Sequence, residues 1–160
     1  MRVVSNTSPL SNLTLIGRLE LLKRRYGSVH IQVEKELSAL SHPQARASLA
    51  SALSEGWLKV EQAVPPTPFS LPLPLDAGES AALALAAATQ ADVLLIDEKQ
   101  GRSAARQLGL PIGGLLGELI HARQQGWIPE LRSEIRRLRE DAGFFVTAEL
   151  ELFLLTQVGE

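Results

Sequence analysis

The chain has 160 residues, room for one compact domain that buries about 70% of the surface its unfolded form exposes. A net charge of −2 excludes a broad basic field for wrapping duplex, although a small nucleic-acid cleft remains allowed. The absence of cysteine excludes disulfides, thiolate zinc sites and cysteine nucleophiles. Hydrophobic residues make up 45% of the chain but include only two Trp, one Tyr and four Phe, so the core is aliphatic. That composition suits helices packed on a sheet.

Short apolar runs alternate with longer helical patterns, as expected of βα units around a parallel sheet. Val3-Val4 reads as the first strand, and Ser8-Pro9 as an N-cap with proline at the first helical position, opening a helix through Ile16. A second amphipathic stretch runs from Arg18 to Tyr26. The run Val29-His30-Ile31 follows, and Gln32 to Leu40 then carries apolar residues at helical spacing. A helix is expected over Gln44 to Glu55, ended by Gly56, before the strand Trp57 to Val60. Residues 65–74 hold five of the nine prolines and read as an extended connection lying along the domain.

The alternation resumes with an alanine-rich helix from Asp76 to Thr89, the strand Val93 to Ile96 and a helix from Lys99 to Leu108. Pro111-Ile112-Gly113 is a brief last strand. Helices follow over Leu115 to Gln125, Pro129 to Asp141 and Thr147 to Thr156. No run reaches about 18 uninterrupted apolar residues, and residues 1–6 lack a long apolar run ending in a small-residue cleavage site. The expectation is a single domain over residues 1–160, cytoplasmic and not in a membrane.

In a parallel sheet, ligands bind beyond the carboxyl ends of the strands. Ser5-Asn6-Thr7-Ser8 closes the first strand, and Asp97-Glu98 closes the strand Val93 to Ile96. Glu79 shares a helical face with Ala82, Leu83 and Ala86, and Glu36 with Val33, Leu37 and Leu40, so both carboxylates point inward. Acidic groups seldom occupy such faces unless something positive holds them. Structural roles compete. Glu79 would complete a capping box with Asp76, Asp97 would cap the next helix with Gln100 as partner, and Glu36 would sit at the edge of its face.

Three local patterns together resemble the PIN-domain family, in the small prokaryotic branch related to VapC-type toxins. They are Val4-Ser5-Asn6-Thr7-Ser8-Pro9-Leu10 with Leu19-Glu20-Leu21-Leu22; Leu75-Asp76-Ala77-Gly78-Glu79 with the alanines after it; and Leu95-Ile96-Asp97-Glu98 with Gly101-Arg102. Weaker support comes from Val33-Glu34-Lys35-Glu36-Leu37, Gly126-Trp127-Ile128-Pro129 and the Ala142-Gly143-Phe144 turn. The resemblance implies a three-layer α/β/α sandwich on a mostly parallel sheet of four to five strands. It implies a Mg2+- or Mn2+-dependent ribonuclease, the toxin of a toxin-antitoxin pair, with RNA as substrate, an antitoxin as partner and a homodimeric state.

By position, the resemblance implies catalytic-site roles for Asn6, Glu36, Glu79 and Asp97, with Asn6, Glu79 and Asp97 on the metal. Thr7, Ser8 and Glu98 would support them. Arg102 and Arg106, one helical turn apart, would hold the RNA phosphates or else form a solvated helix face. Oxygen ligands suit a hard dication, which also relieves repulsion between carboxylates.

The sequence departs from the family at Asn6, where relatives carry aspartate, and at Gly114, where they usually carry threonine or serine. A unit charge about 4 Å from a dication contributes roughly 8 kcal/mol before desolvation at an effective dielectric near 20. Weaker metal binding is therefore expected. The alternative is an inactive PIN-fold module that binds RNA or a protein partner. The charges of Arg132, Arg136, Arg137 and Arg139 interleave with Glu134 and Glu140, which reads as an ordinary charged surface. His30, His42 and His121 have no ligand spacing. Leu150, Leu152, Phe153, Leu154 and Leu155 exceed what one buried helix face needs, which predicts an association surface.

Overall fold

A computed structural model describes residues 1–32, 41–62 and 75–160. Five strands, β1 (Val3–Ser5), β2 (Val29–Ile31), β3 (Leu58–Val60), β4 (Val93–Leu95) and β5 (Ile112–Gly113), form one sheet in the order β3-β2-β1-β4-β5. Every pairing is parallel. Eight helices among the described residues cover it: α1 (Thr7–Leu15), α2 (Glu20–Tyr26), α3 (Pro43–Ser54), α4 (Ala77–Ala88), α5 (Lys99–Gln107), α6 (Leu115–Gln124), α7 (Leu131–Asp141) and α8 (Ala148–Gln157). The expected α/β class and parallel five-stranded sheet are therefore present.

Strand pleating divides the core in two, because successive residues point to opposite faces. Val3, Val29, Ile31, Leu58 and Leu95 face a large cluster with residues of α1, α2, α3, α6, α7 and α8. Val4, Leu94 and Ile96 face a smaller one built on α4 and α5, whose Ala82, Ala86, Ala104 and Ala105 allow close approach. The larger layer holds the bulky Leu and Ile that a low-aromatic core requires. No helix among the described residues is long and apolar enough to cross a membrane.

The boundaries differ from the sequence expectation in one instructive place. α1 begins at Thr7 with Asn6 at the N-cap, not at Pro9 after Ser8. Neither Asn6 nor Ser8 gives its side chain to the helix, since both reach Glu98 instead. The helix expected up to Leu40 and the proline-rich connection fall mainly in 33–40 and 63–74, outside the described residues.

Candidate active site

The order of the strands reverses at β1, which lies between β2 and β4, so the open end of the β1/β4 seam is the switch point of the sheet. The register Ser5↔Leu95 and the bond from the Asn6 N–H to the Leu95 carbonyl, 2.9 Å, bring Asn6 level with the end of β4. Two strand ends far apart in sequence thus deliver Asn6, Asp97 and Glu98 to one rim.

Glu98 is the centre of the arrangement. Asn6 Nδ2 donates to Glu98 Oε2 at 3.1 Å, and the Ser8 hydroxyl donates to Oε1. A carboxylate at position 6 would instead face Glu98 across the same gap, which neither group tolerates without a proton or a cation between them. The amide therefore satisfies internally a position where aspartate would call for a cation.

Asp97 lies beside this pair. The Leu115 N–H, at the first turn of α6, donates to Asp97 Oδ1 at 2.9 Å, while Oδ2 is buried without a hydrogen-bond partner. Burial, reinforced by the charge of Glu98, pushes its pKa up to about 6; the Leu115 N–H and the Arg102 guanidinium pull the other way. The structural alternative for Asp97 is not realised, because α5 has Glu98 at its N-cap with no side-chain cap bond. Asp97 caps α6 instead.

Glu79 is buried at the start of α4, and its capping box is complete: its N–H donates to Asp76 Oδ1 at 2.7 Å, and Asp76 N–H donates to Glu79 Oε2 at 3.2 Å. Its carboxyl also stands over α5, about where a side chain on Gly101 would meet it. Burial raises its pKa, and the negative charges of Asp76 and Glu98 act in the same direction. The capping-box reading of Glu79 thus holds, and its carboxyl also lies within electrostatic reach of Glu98.

Of the remaining expected residues, Thr7 lines a water-sized recess of about 10 Å3 with Asn6, Gln32 and Gly78. Arg102 lies against the end of the sheet, its Nη1 donating to the carbonyl of Ile96 at 2.9 Å and reaching that of Gly113 at 3.4 Å. Arg106 is exposed on the next turn. Glu36 lies outside the described residues. The larger hollows, of 330 and 480 Å3, lie around Thr14, Gly17 and Ser48, beyond the far end of α1 from Asn6.

Asn6, Ser8, Asp97, Glu98 and Arg102 therefore share one rim, with Glu79 in electrostatic reach of it. The atoms here able to ligate a metal are carboxylate, hydroxyl and amide oxygens, and Asp97 offers an unpartnered buried oxygen, which suits a hard divalent cation in kind. Among the described residues no three acidic or histidine side chains already converge on one point. Sequence reasoning did not reach the Asn6–Glu98 bond. The nearest signal was the closeness of Asp97 and Glu98 to a strand end.

This fold is a parallel α/β sandwich with acidic side chains at the β1/β4 switch point. A family model described as a PIN domain matches residues 2–160, so the chain belongs to the PIN-domain family. No curated protein and no solved structure matches it.

Proposed function

We propose that the chain is a metal-dependent ribonuclease of the PIN type whose activity is lowered by Asn6. The observation that carries this is the unpartnered, buried Oδ2 of Asp97 on a rim shared with Glu98 and, within electrostatic reach, Glu79. Such a surplus of negative charge is stabilised by a cation from outside the chain.

Asp97, Glu79 and the Asn6 side-chain oxygen would hold Mg2+ or Mn2+, with Glu36 as a further catalytic carboxylate and Glu98, Thr7 and Ser8 as the surrounding support. The bound ion would polarise a phosphate oxygen and lower the pKa of a water. The chain's own residues do the remainder. Asp97 is oriented by the Leu115 N–H, Glu98 is fixed by Asn6 and Ser8, and Arg102 and Arg106 supply positive charge for an RNA phosphate. Single-turnover cleavage of RNA in Mn2+ tests the reading: Asn6→Asp should cleave at least about a hundredfold faster than the native chain, while Asn6→Asp with Asp97→Asn should not cleave. Failure of Asn6→Asp to cleave would contradict it.

A second reading has its own support. The Asn6–Glu98 bond satisfies one Glu98 oxygen without a cation, as expected of a PIN fold kept for binding RNA or a protein partner. It predicts RNA binding that is indifferent to Mn2+.

The role of toxin in a toxin-antitoxin pair, and a cytoplasmic location, follow from the family resemblance and belong to the same proposal. The outward face of α8 supports an association surface for a homodimer, with an antitoxin as the competing occupant. Leu152 and Phe153 are 68% and 60% exposed there, and Phe145, just before the helix, is 83% exposed.

A further inference from the structure

Gly114 presents a puzzle. It is the N-cap of α6, a position that favours Ser, Thr, Asp or Asn because their side chains satisfy the first free N–H groups. Its backbone, φ −158° and ψ 172°, is ordinary extended chain open to any residue, so conformation does not call for glycine. Space does. A Cβ at 114 would stand 2.7 Å from Asp97 Oδ1 and 2.8 Å from Arg102 Nη1, closer than real Cβ contacts come.

Those two atoms do what a side chain at 114 does not. Asp97 Oδ1 accepts the Leu115 N–H at 2.9 Å, so α6 borrows its cap from the end of β4. The Arg102 guanidinium fills the remaining room and spans the β4/β5 seam, where the Gly113 carbonyl also accepts the Ile96 N–H at 3.1 Å. An arginine that donates to main-chain carbonyls at two strand ends is anchored, whereas one that serves only as a mobile phosphate ligand has no need of them.

We propose that Arg102 is a positioning residue for Asp97, and that Gly114 is the lock that admits it: the anchored guanidinium stands by the Asp97 carboxylate across the space left by the missing side chain, and its charge favours the carboxylate's seat on the α6 N-terminus. The inference rests on the ribonuclease reading only for its metal consequence. Its structural half concerns the Leu115 amide alone.

The test is amide hydrogen exchange at Leu115 in metal-free protein, joined to Mn2+ titration in the Asn6→Asp background. Arg102→Ala should lower Leu115 protection about tenfold, and Arg102→Lys, which retains a charge without the planar fork, by less. Gly114→Ala should lower it as well. Adding Arg102→Ala to Gly114→Ala should change nothing further, because the guanidinium has already been expelled. Mn2+ binding in the Asn6→Asp background should weaken about tenfold on Arg102→Ala, as expected when a group supporting a ligand is lost.

Unchanged Leu115 protection in both Arg102 variants, or losses that add in the double variant, would overturn the proposal. So would tighter Mn2+ binding, which would mark Arg102 as a mere repelling charge. If Leu115 responds as expected but Asn6→Asp binds no Mn2+, the ribonuclease reading fails while the positioning role stands.

Discussion

The molecule buries carboxylates in two regions and treats them differently. Between α2 and α6, Glu118 accepts from Arg25 at 2.9 Å and from the Tyr26 hydroxyl at 2.5 Å; between the α1–α2 turn and α7, Glu134 accepts from Arg18 at 2.7 Å. Both are buried as deeply as Glu79. At the sheet end, however, the charges that bear on Glu79 are those of Asp76 and Glu98, and Asp97 feels Glu98 along with Arg102. Carboxylates that hold the fold together carry their cations with them, whereas those at the rim outnumber theirs. Burial alone marks neither group as functional, and the sign of the neighbouring charge separates them.

The largest expected effect breaks the first region. Arg18→Ala leaves Glu134 buried with only Arg137 near it, Nη1 at 3.8 Å, too far for a hydrogen bond. Stability should fall by roughly 3 kcal/mol in urea unfolding, the order found when one partner of a buried pair is removed. Asn6→Asp acts in the opposite region and comes next. It replaces the bond to Glu98 by two facing carboxylates, so the metal-free protein should lose about 2 kcal/mol, and saturating Mn2+ should restore most of that.

Smaller again is the effect of Asp97→Asn, which should stabilise the metal-free protein at neutral pH by roughly 1 kcal/mol, allowing for partial exposure of the site. The sign follows from the raised pKa. Between the ordinary value of 3.8 and about 6 the folded chain holds more protons than the unfolded one, so ionising Asp97 lowers stability as pH rises through that window. Urea midpoints measured from pH 4 to 7 should show this loss in the native chain and less of it in Asp97→Asn. Least in stability is Phe153→Asp on the exposed α8 face, expected within about 0.5 kcal/mol, while light scattering should show a smaller particle than the native chain gives.

How far the sequence foretold these two regions follows from the range of the interactions. Hydrophobic periodicity and glycine stops are local, and they placed the strands and most helices within a few residues. Periodicity also marked Glu79 as inward. The same spacing marks Glu118, beside Leu115, Leu119 and Ala122, and Glu134, beside Leu131, Ile135 and Leu138, yet neither was singled out. What distinguishes them is Arg25 and Arg18, contributed by α2 and the turn before it, and no local pattern carries such a pairing. Asn6 was legible as a missing charge through the family resemblance, but its bond to a glutamate 92 positions away was not. Gly114 was likewise visible only as an absent hydroxyl, because the guanidinium that fills its space comes from another helix.

Manganese titration of metal-free protein, native against Asn6→Asp and each with and without Asp97→Asn, tests the central claim most directly. The account predicts one Mn2+ per chain, bound at least tenfold more tightly by Asn6→Asp and lost when Asp97 is replaced. Equal weak binding by all four proteins, or tight binding that survives Asp97→Asn, would contradict it.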